Sequence, residues 1–396
     1  MEGRAGDLAA SARIVTGGAF DRLRTTPFTI FVCSRLLVWA TAVYAWLWWV
    51  PPQPAGATAR DLGYATEIWS RADANWFIGI AQHGYRRDGG AVFYPLYPLM
   101  VGGFGRAFGG HYIVAGLIVS LACCLGAFVL LYRLALPCLG TEGARRALLY
   151  LALFPMSLFL QAVYSESLYL LCVLAAFVFA DRSRWLAAGV ATGLAMLTRL
   201  AGLALVPAIL LLAWRSPDRR RALASLLSAP LLAGLYPLWL QLKLHAPFAA
   251  VGNEGGWGRH LSSAGPFGGI WHGARSAWEG LGQVLTGSSE NVQAAAHNLE
   301  YFAFFALFAW LGVEAWRRFG APYGLFVLGS LAIPLSAPTV GYPLLSMPRF
   351  CLPLFPAFLA LAGIATTVRR DRVIIVLSSA FLAVATVEWT VGQWVS

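Results

Sequence analysis

The sequence predicts an all-α polytopic membrane protein, and three observations support this fold class. The 396 residues are 59% hydrophobic and only 12% charged, whereas soluble domains carry roughly 25% charged residues. Apolar runs of about 20 residues, the length that crosses a bilayer as a helix, recur along the chain. The third observation is that arginines gather in short clusters between these runs, as in the cytoplasmic loops of membrane proteins.

About eleven spans account for the apolar runs. Residues 1–27 precede them as a cytoplasmic tail, and we expect 28–396 to form one membrane domain with outer loops at about 51–110 and 244–296. Prolines and glycines interrupt residues 93–108, which favours a re-entrant or surface segment there. The predicted spans are 28–50, 111–136, 147–161, 163–180, 184–199, 200–214, 221–243, 297–316, 322–338, 350–368 and 373–394.

The arginine clusters give the predicted topology an internal check. With the N-terminus in the cytoplasm, every multi-arginine connection between spans falls on the inner side, and only Arg86 with Arg87 forms an outer pair. The net charge of +11 therefore indicates membrane orientation rather than a nucleic-acid surface. The inner clusters are Arg145 with Arg146, Arg182 with Arg184, Arg215 with 219–221, Arg317 with Arg318, and Arg369, Arg370 and Arg372.

Unusual side chains inside the apolar runs have structural interpretations. Arg35 lies within the first span, where it either snorkels to the headgroups or faces the bundle interior. Nearly all of the six cysteines lie in apolar segments with no CxxC spacing, so neither a disulfide framework nor a cysteine-bound zinc is expected.

The first outer loop concentrates polar and aromatic side chains between residues 69 and 98. After Asp73 the pattern predicts a short helix, which is too polar to span a bilayer and is expected to lie along its surface. Asp73 suits the N-cap of that helix, but a carboxylate at an outer interface can equally act as a general base or help to hold a divalent ion. His83 is a further candidate, and Asp88 is interpreted as a solvated turn residue.

Two polar residues lie at predicted outer ends of later spans. Glu166 follows Tyr164 and Ser165 between two apolar runs, where it is either a catalytic carboxylate or part of a capped hairpin turn. Arg199, followed by Gly202, either binds a phosphate or anchors the chain at the headgroups.

The long outer loop and the start of the tenth span add four candidates. The loop sequence 255–260 is glycine-rich and carries Trp257, Arg259 and His260, which suit a sugar or phosphate lid as well as an irregular surface loop. Arg349 opens the tenth span and is weak as a candidate by itself.

The sequence contains no P-loop, no GxGxxG after a strand, no HExxH and no Ser/His/Asp order. The predicted inner loops are short and basic, with little room for a nucleotide-sugar domain. A sugar donor used at the outer face would therefore arrive already attached to a lipid.

Several segments together resemble the PIG-V type mannosyltransferases, a family that includes the enzyme adding the second mannose of GPI anchors and many bacterial relatives. The resemblance covers nearly the whole chain, although Ala72 stands where the family usually has tryptophan. The matching segments are Ala72 to Tyr85, Phe93 to Pro98, Phe154-Pro155 with 164–167, Thr198-Arg199 with Gly202, and Arg349-Phe350 with Pro356.

The resemblance implies a GT-C type glycosyltransferase fold and an inverting hexosyl transfer, with Asp73 as the acid of the first loop. The donor would be polyprenyl-phosphate-mannose, and the acceptor a lipid- or protein-linked glycan on the extracytoplasmic side of the plasma membrane. No cofactor is implied with certainty, and a divalent cation stays open. On physical grounds, the arginines and His83 suit the leaving lipid phosphate, where charge builds in the transition state.

Rival functions stay open from the sequence. A polytopic transporter or lipid flippase usually keeps charge near the midplane and shows repeated halves, which this chain lacks. A membrane scaffold would not need an acid, a histidine and arginines on one face. Within the enzyme class, another polyprenyl-phosphate sugar such as glucose or arabinose remains an alternative.

Overall fold

The structure is a computed structural model that describes residues 3–50, 63–86, 89–287 and 292–395. Within these ranges the chain is helical and contains no β-strand, which confirms the all-α prediction. Arg87, Asp88 and most of the first outer loop, from residue 51 to 62, lie outside the described residues.

The described part of the N-terminal half contains long and short α-helices in succession. Short helices connect the long ones, and 3₁₀ turns occupy Gly90–Val92, Pro155–Leu160 and Leu200–Ala204. The α-helices are α1 (Gly3–Trp49), α2 (Tyr64–Glu67), α3 (Asp73–His83), α4 (Leu96–Ala107), α5 (Tyr112–Ala152), α6 (Glu166–Asp181), α7 (Trp185–Met196), α8 (Leu205–Trp214) and α9 (Arg219–Leu226).

The C-terminal half alternates very short helices with longer ones. A further 3₁₀ turn covers Asn253–Trp257. The α-helices are α10 (Ser228–Ala233), α11 (Leu235–Leu244), α12 (Ala249–Gly252), α13 (Pro266–Thr286), α14 (Val292–Phe319), α15 (Ala321–Leu335), α16 (Met347–Cys351), α17 (Phe355–Ile364) and α18 (Val368–Val391).

Apolar helices of membrane-spanning length are present in the described part of the chain, as expected for a multi-pass membrane protein. Five segments are long and apolar enough to cross, and four shorter apolar helices accompany them. The predicted count of eleven and the orientation of the spans stay predictions. The long segments are Thr26–Trp49, Tyr112–Ala152, Arg219–Leu244, Val292–Phe319 and Val368–Val391, and the shorter ones are Trp185–Met196, Leu200–Trp214, Ala321–Leu335 and Phe355–Ile364.

The second and third predicted spans meet without the connecting loop expected between them. Helix α5 runs through both, and its two arms join at Gly140, whose φ of 65° and ψ of −178° break the helix within one residue. The second arm ends at Ala152, and a 3₁₀ turn takes the place of the predicted end of the span.

The predicted outer loop at 244–296 contains a 21-residue helix, α13, and its position outside the membrane stays a prediction. Its glycine-rich sequence resembles a loop, but the glycines let neighbouring backbones approach closely. A Cβ at Gly269 would meet the carbonyl carbon of Leu335 at 2.8 Å, and a Cβ at Gly280 would lie 2.6 Å from the carbonyl oxygen of Ala295. Sequence composition alone did not reveal this helix, because its stabilising contacts are made with α14 and α15.

The connection between α5 and α6 is buried along its whole length and forms the centre of the molecule. Arg35 from α1 reaches this centre rather than the headgroups: its Nη1 donates to the carbonyl of Ser157 at 2.6 Å, and its Nη2 donates to the carbonyl of Ala152 at 2.9 Å. These charge-assisted bonds fasten the first span to the connection that leads to Glu166.

Candidate active site

The N-terminus of α3 places Asp73 at the edge of the buried centre. Ala72 precedes it with φ of 51° and ψ of −116°, a strained conformation for a residue other than glycine. The hydroxyl of Tyr164 accepts from the backbone N–H of Asp73 at 3.1 Å and donates to the carbonyl of Arg71 at 3.2 Å. This turn therefore holds Asp73 from both sides.

The Asp73 carboxylate does not cap α3, so the N-cap interpretation was wrong. No side-chain cap bond is made at the start of this helix. Instead, Nη1 of Arg349 donates to Oδ2 of Asp73 at 2.8 Å, across 276 positions of sequence. Both side chains are mostly buried, with 20% of Asp73 and 13% of Arg349 exposed.

Glu166 begins α6 and lies beneath the arginines. Only 1% of its side chain is exposed, and its Oε1 accepts from Nη1 of Arg199 at 2.5 Å. Nε of Arg349 lies 3.4 Å from the same oxygen. A buried carboxylate is stable only when such partners surround it, so Glu166 and the two arginines depend on one another.

The backbone around Arg199 explains its fixed position. Arg199 is extended between α7 and the 3₁₀ turn Leu200–Ala204, and Gly202 in that turn lies against the preceding helix. A Cβ on Gly202 would come within 2.6 Å of the Met196 backbone. Glycine at this position thus lets the chain reverse tightly and keeps the guanidinium group at Glu166.

A phenylalanine ring links a third arginine to this cluster. The ring centroid of Phe350 lies 5.9 Å from the guanidinium carbon of Arg199, 5.9 Å from that of Arg349 and 5.3 Å from that of Arg259. Arg259 also lies 4.0 Å from Glu254. Cation–π contacts of this kind favour guanidinium groups in a partly dehydrated site.

Burial shifts the pKa values of Arg259 and Glu254, two residues of the long outer loop. It lowers the pKa of Arg259, where Glu254 acts in the opposite direction and Arg349 and Arg199 act in the same direction. Burial raises the pKa of Glu254, against the influence of Arg259 and Arg199.

We define the cation cluster as Asp73, Glu166, Arg199, Glu254, Arg259 and Arg349 with Phe350 between the arginines. Its three acids and three arginines balance in formal charge.

The other predicted site residues lie around this cluster rather than in it. His83 is exposed at the far end of α3, ten positions from Asp73, or about 15 Å along the helix axis. The Trp257 ring packs against Trp76 of α3 and against Phe93, both at 5.5 Å between centroids. His260 is exposed and lines a separate cleft.

Sequence reasoning missed three members of the site. Glu254 is the only acid between residues 244 and 278, and that isolation was an available signal. The sequence marks Phe350 only as the neighbour of Arg349, and Tyr164 only as a residue just before Glu166. Their roles depend on contacts between distant segments, which local sequence does not show.

The chemistry of this cluster is that of anion stabilisation beside a carboxylate. Within the described part of the chain, Oε2 of Glu166 and Nε of Arg349 are buried without a hydrogen-bond partner, so the cluster retains bonding capacity. Among the described residues, no group of three or more His, Cys, Asp or Glu side chains is placed to hold a metal ion.

Comparison with known protein families finds a match over part of the chain. Residues 94–241 match the family model described as dolichyl-phosphate-mannose-protein mannosyltransferase. The matched segment covers less than half of the chain and contains Glu166 and Arg199, whereas Asp73 and Arg349 lie outside it. No curated protein matches the chain. Together with the apolar helices, the match supports a multi-pass membrane glycosyltransferase of the mannosyltransferase kind.

Proposed function

We propose that this protein transfers mannose from polyprenyl-phosphate-mannose to a lipid- or protein-linked glycan at the extracytoplasmic face of the plasma membrane. The observation that carries the proposal is the ion-paired chain from Asp73 through Arg349 and Glu166 to Arg199. A carboxylate and two guanidinium groups held together at the start of apolar helices suit sugar transfer from a lipid phosphate.

The arginines account for the donor half of the reaction. A guanidinium group matches phosphate oxygens bidentately and keeps its charge at any relevant pH. Arg349 and Arg199 would bind the polyprenyl phosphate and stabilise the negative charge that develops as it leaves. The description of the matched family names a lipid-phosphate-linked mannose donor, and this supports mannose as the proposed sugar.

Asp73 accounts for the acceptor half. In a single displacement, the acceptor hydroxyl attacks the anomeric carbon as its proton passes to the Asp73 carboxylate. The new glycosidic C–O bond forms on the face opposite the departing phosphate oxygen, which inverts the anomeric configuration. The electron pair of the broken bond leaves with the phosphate beside the guanidinium groups.

Glu166 is a positioning residue in this proposal. Its burial keeps it beneath Arg199 and Arg349, where it fixes the direction in which both groups point. Glu254 would act similarly on Arg259. Trp257, packed over α3, and His83 and His260 would contact substrate at the margin of the site. No step requires the divalent cation that the sequence leaves open.

The orientation follows from the positive-inside pattern. The arginine clusters between spans alternate so that Asp73, Glu166, Arg199 and Arg349 all fall on the side opposite to them. The four side chains are in contact in the structure, which agrees with their assignment to one side.

A membrane assay tests the proposal. Membranes containing the protein receive polyprenyl-phosphate-[³H]mannose, and labelled glycan products are extracted and identified. The expected result is a mannosylated product whose new linkage has the anomeric configuration opposite to that of the donor. Transfer of glucose from polyprenyl-phosphate-glucose, with none from the mannose donor, would show that the donor sugar is not mannose. Transport of intact donor across the membrane without transfer would show that the protein is a transporter and not a glycosyltransferase.

A further inference from the structure

A strand-like segment separates the cation cluster from a second cleft. Arg259 is extended and forms an isolated antiparallel bridge with Thr339. Its guanidinium Nη2 donates to the carbonyl of Leu345 at 3.0 Å. Because successive side chains of an extended chain point to opposite sides, Arg259 faces Phe350 while His260 faces away from it. The segment is therefore a thin wall with a different cavity behind it.

The cavity behind this wall, which we call the α13 cleft, has a volume of about 520 Å³. That size lies within the range of small-ligand sites. One side is formed by the polar residues His272, Arg275, Ser276 and Glu279 of α13, and His260 lies at its edge. The other side is the turn at 338–343, which supplies prolines and the buried hydroxyl of Thr339.

The side chains of the α13 cleft have unused hydrogen-bonding capacity. Within the described ranges, the side chains of His260, His272 and Ser276 have no hydrogen-bond partner in the protein, although their rings and hydroxyl can both donate and accept. Arg275 and Glu279 are paired with each other at 2.8 Å, so the cleft carries little net charge. Such a lining fits neutral hydroxyl groups better than a phosphate or a metal ion.

The α13 cleft also has a physical connection to the cation cluster. The turn at 338–343, which forms the second side of the cleft, continues along the chain to Leu345 and then to Arg349. The carbonyl of Leu345 accepts a hydrogen bond from Arg259, and Arg349 is paired with Asp73. A ligand in the cleft would therefore lie on the other side of the Arg259–Thr339 bridge from the arginines proposed to bind the donor.

A third side of α13 is apolar and points away from the bundle. Phe267, Trp271, Trp278 and Leu285 are 68–77% exposed and fall within about 40° of one another around the helix. Aromatic stripes of this kind are typical of helices at a membrane surface. The α13 cleft thus opens beside an edge suited to lipid, and it is accessible to glycans whether or not they carry a lipid.

We infer that the α13 cleft binds the sugar hydroxyls of the acceptor glycan, on the opposite side of the Arg259 segment from the donor. This inference rests on the proposed function for the identity of the sugar. His272 and Ser276 would hold the glycan by hydrogen bonds, and the 338–343 turn would contact the apolar faces of its rings.

Direct binding tests the inference without requiring turnover. Purified protein in detergent receives mannobiose, or the same disaccharide with an octyl chain, and binding is followed by saturation-transfer NMR. We expect both probes to bind the wild type and to bind about tenfold more weakly to His272→Ala combined with Ser276→Ala, because two hydrogen bonds are lost. If the octyl disaccharide binds more tightly than mannobiose, the acceptor is a glycan linked to a membrane lipid. If the two bind with equal affinity, the acceptor is a glycan without a lipid.

Matched variants separate this inference from the proposed function. Gln283→Ala is exposed on α13 outside the cleft and should bind like the wild type. Asp73→Asn should also retain disaccharide binding, because it changes only the cation cluster. Equal affinity in the cleft variant and the wild type, with unchanged thermal unfolding, would overturn the inference, as would failure of the wild type to bind either disaccharide. A wild type that binds glycan but transfers no mannose would contradict only the proposed function.

Discussion

Arg349 donates to Asp73 at 2.8 Å, and these two residues belong to segments at opposite ends of the chain. The contact joins the first polar loop to the short helix that follows Ser346. Since Arg349 also approaches Glu166 at 3.4 Å, one guanidinium group determines the relative positions of both carboxylates. The proposed reaction depends on this arrangement, so substitutions within it give the sharpest tests.

Arg349→Lys keeps the positive charge but lacks the planar fork that reaches two carboxylates. We expect kcat for mannose transfer to fall about 10²-fold, the usual effect of removing one transition-state donor. Stability should fall by about 1–3 kcal/mol, between the values for exposed and buried ion pairs. Transfer assays and thermal unfolding measure the two effects. Wild-type kcat in this variant would show that the fork is not needed.

Arg199→Ala removes the guanidinium group that faces Glu166 and Phe350. If this group binds the donor phosphate, KM for polyprenyl-phosphate-mannose should rise about tenfold, with a smaller change in kcat. The matched control is Arg184→Ala, an exposed arginine at the start of α7. A donor KM equal to that of the control would remove the phosphate role from Arg199.

Gly202→Ala tests how the turn positions Arg199. The added Cβ would approach the Met196 backbone to 2.6 Å, so the turn must shift. We expect a loss of stability of about 1–3 kcal/mol, together with a higher donor KM. Gly103→Ala, where a Cβ meets nothing within 4 Å, serves as the control. If both alanine variants behave alike, the close approach has no functional consequence.

Arg35→Ala should affect stability rather than the reacting groups. It leaves the buried carbonyls of Ser157 and Ala152 without their charged donor. The expected cost is about 2–4 kcal/mol, measured by thermal unfolding in detergent. Thr41→Val on the same helix removes an exposed local hydrogen bond and should be nearly neutral. If the unfolding temperature of Arg35→Ala equals that of the wild type, the hydrogen bonds of Arg35 do not contribute to the packing of the first span.

Local sequence predicted the helical class, the first span and the short helix after Asp73 because hydrophobic period and length determine them directly. It also grouped Asp73, Glu166, Arg199 and Arg349 through the arginine pattern and the family resemblance, and the structure places these four in contact. Their catalytic and binding roles stay predictions.

The remaining features depend on contacts that a local pattern cannot show. Helix α13 is stabilised by close approach of its glycines to α14 and α15, so its glycine-rich composition alone does not indicate a helix. The direction of Arg35 depends on the buried carbonyls of a distant connection. The backbone partner of Arg259 could not be predicted, because its bridge to Thr339 joins segments that are 80 positions apart in the sequence.

The most direct measurement compares single-turnover mannose transfer by Asp73→Asn and the wild type, at equal amounts of folded protein and saturating labelled donor. Asp181→Asn is the matched control, because Asp181 is exposed at the far end of the helix that Glu166 begins. We expect Asp73→Asn to transfer mannose at least about 10²-fold more slowly, the usual effect of losing a general base, while donor binding and the control stay at wild-type values. Transfer by Asp73→Asn at the wild-type rate would contradict the role of Asp73 as the general base.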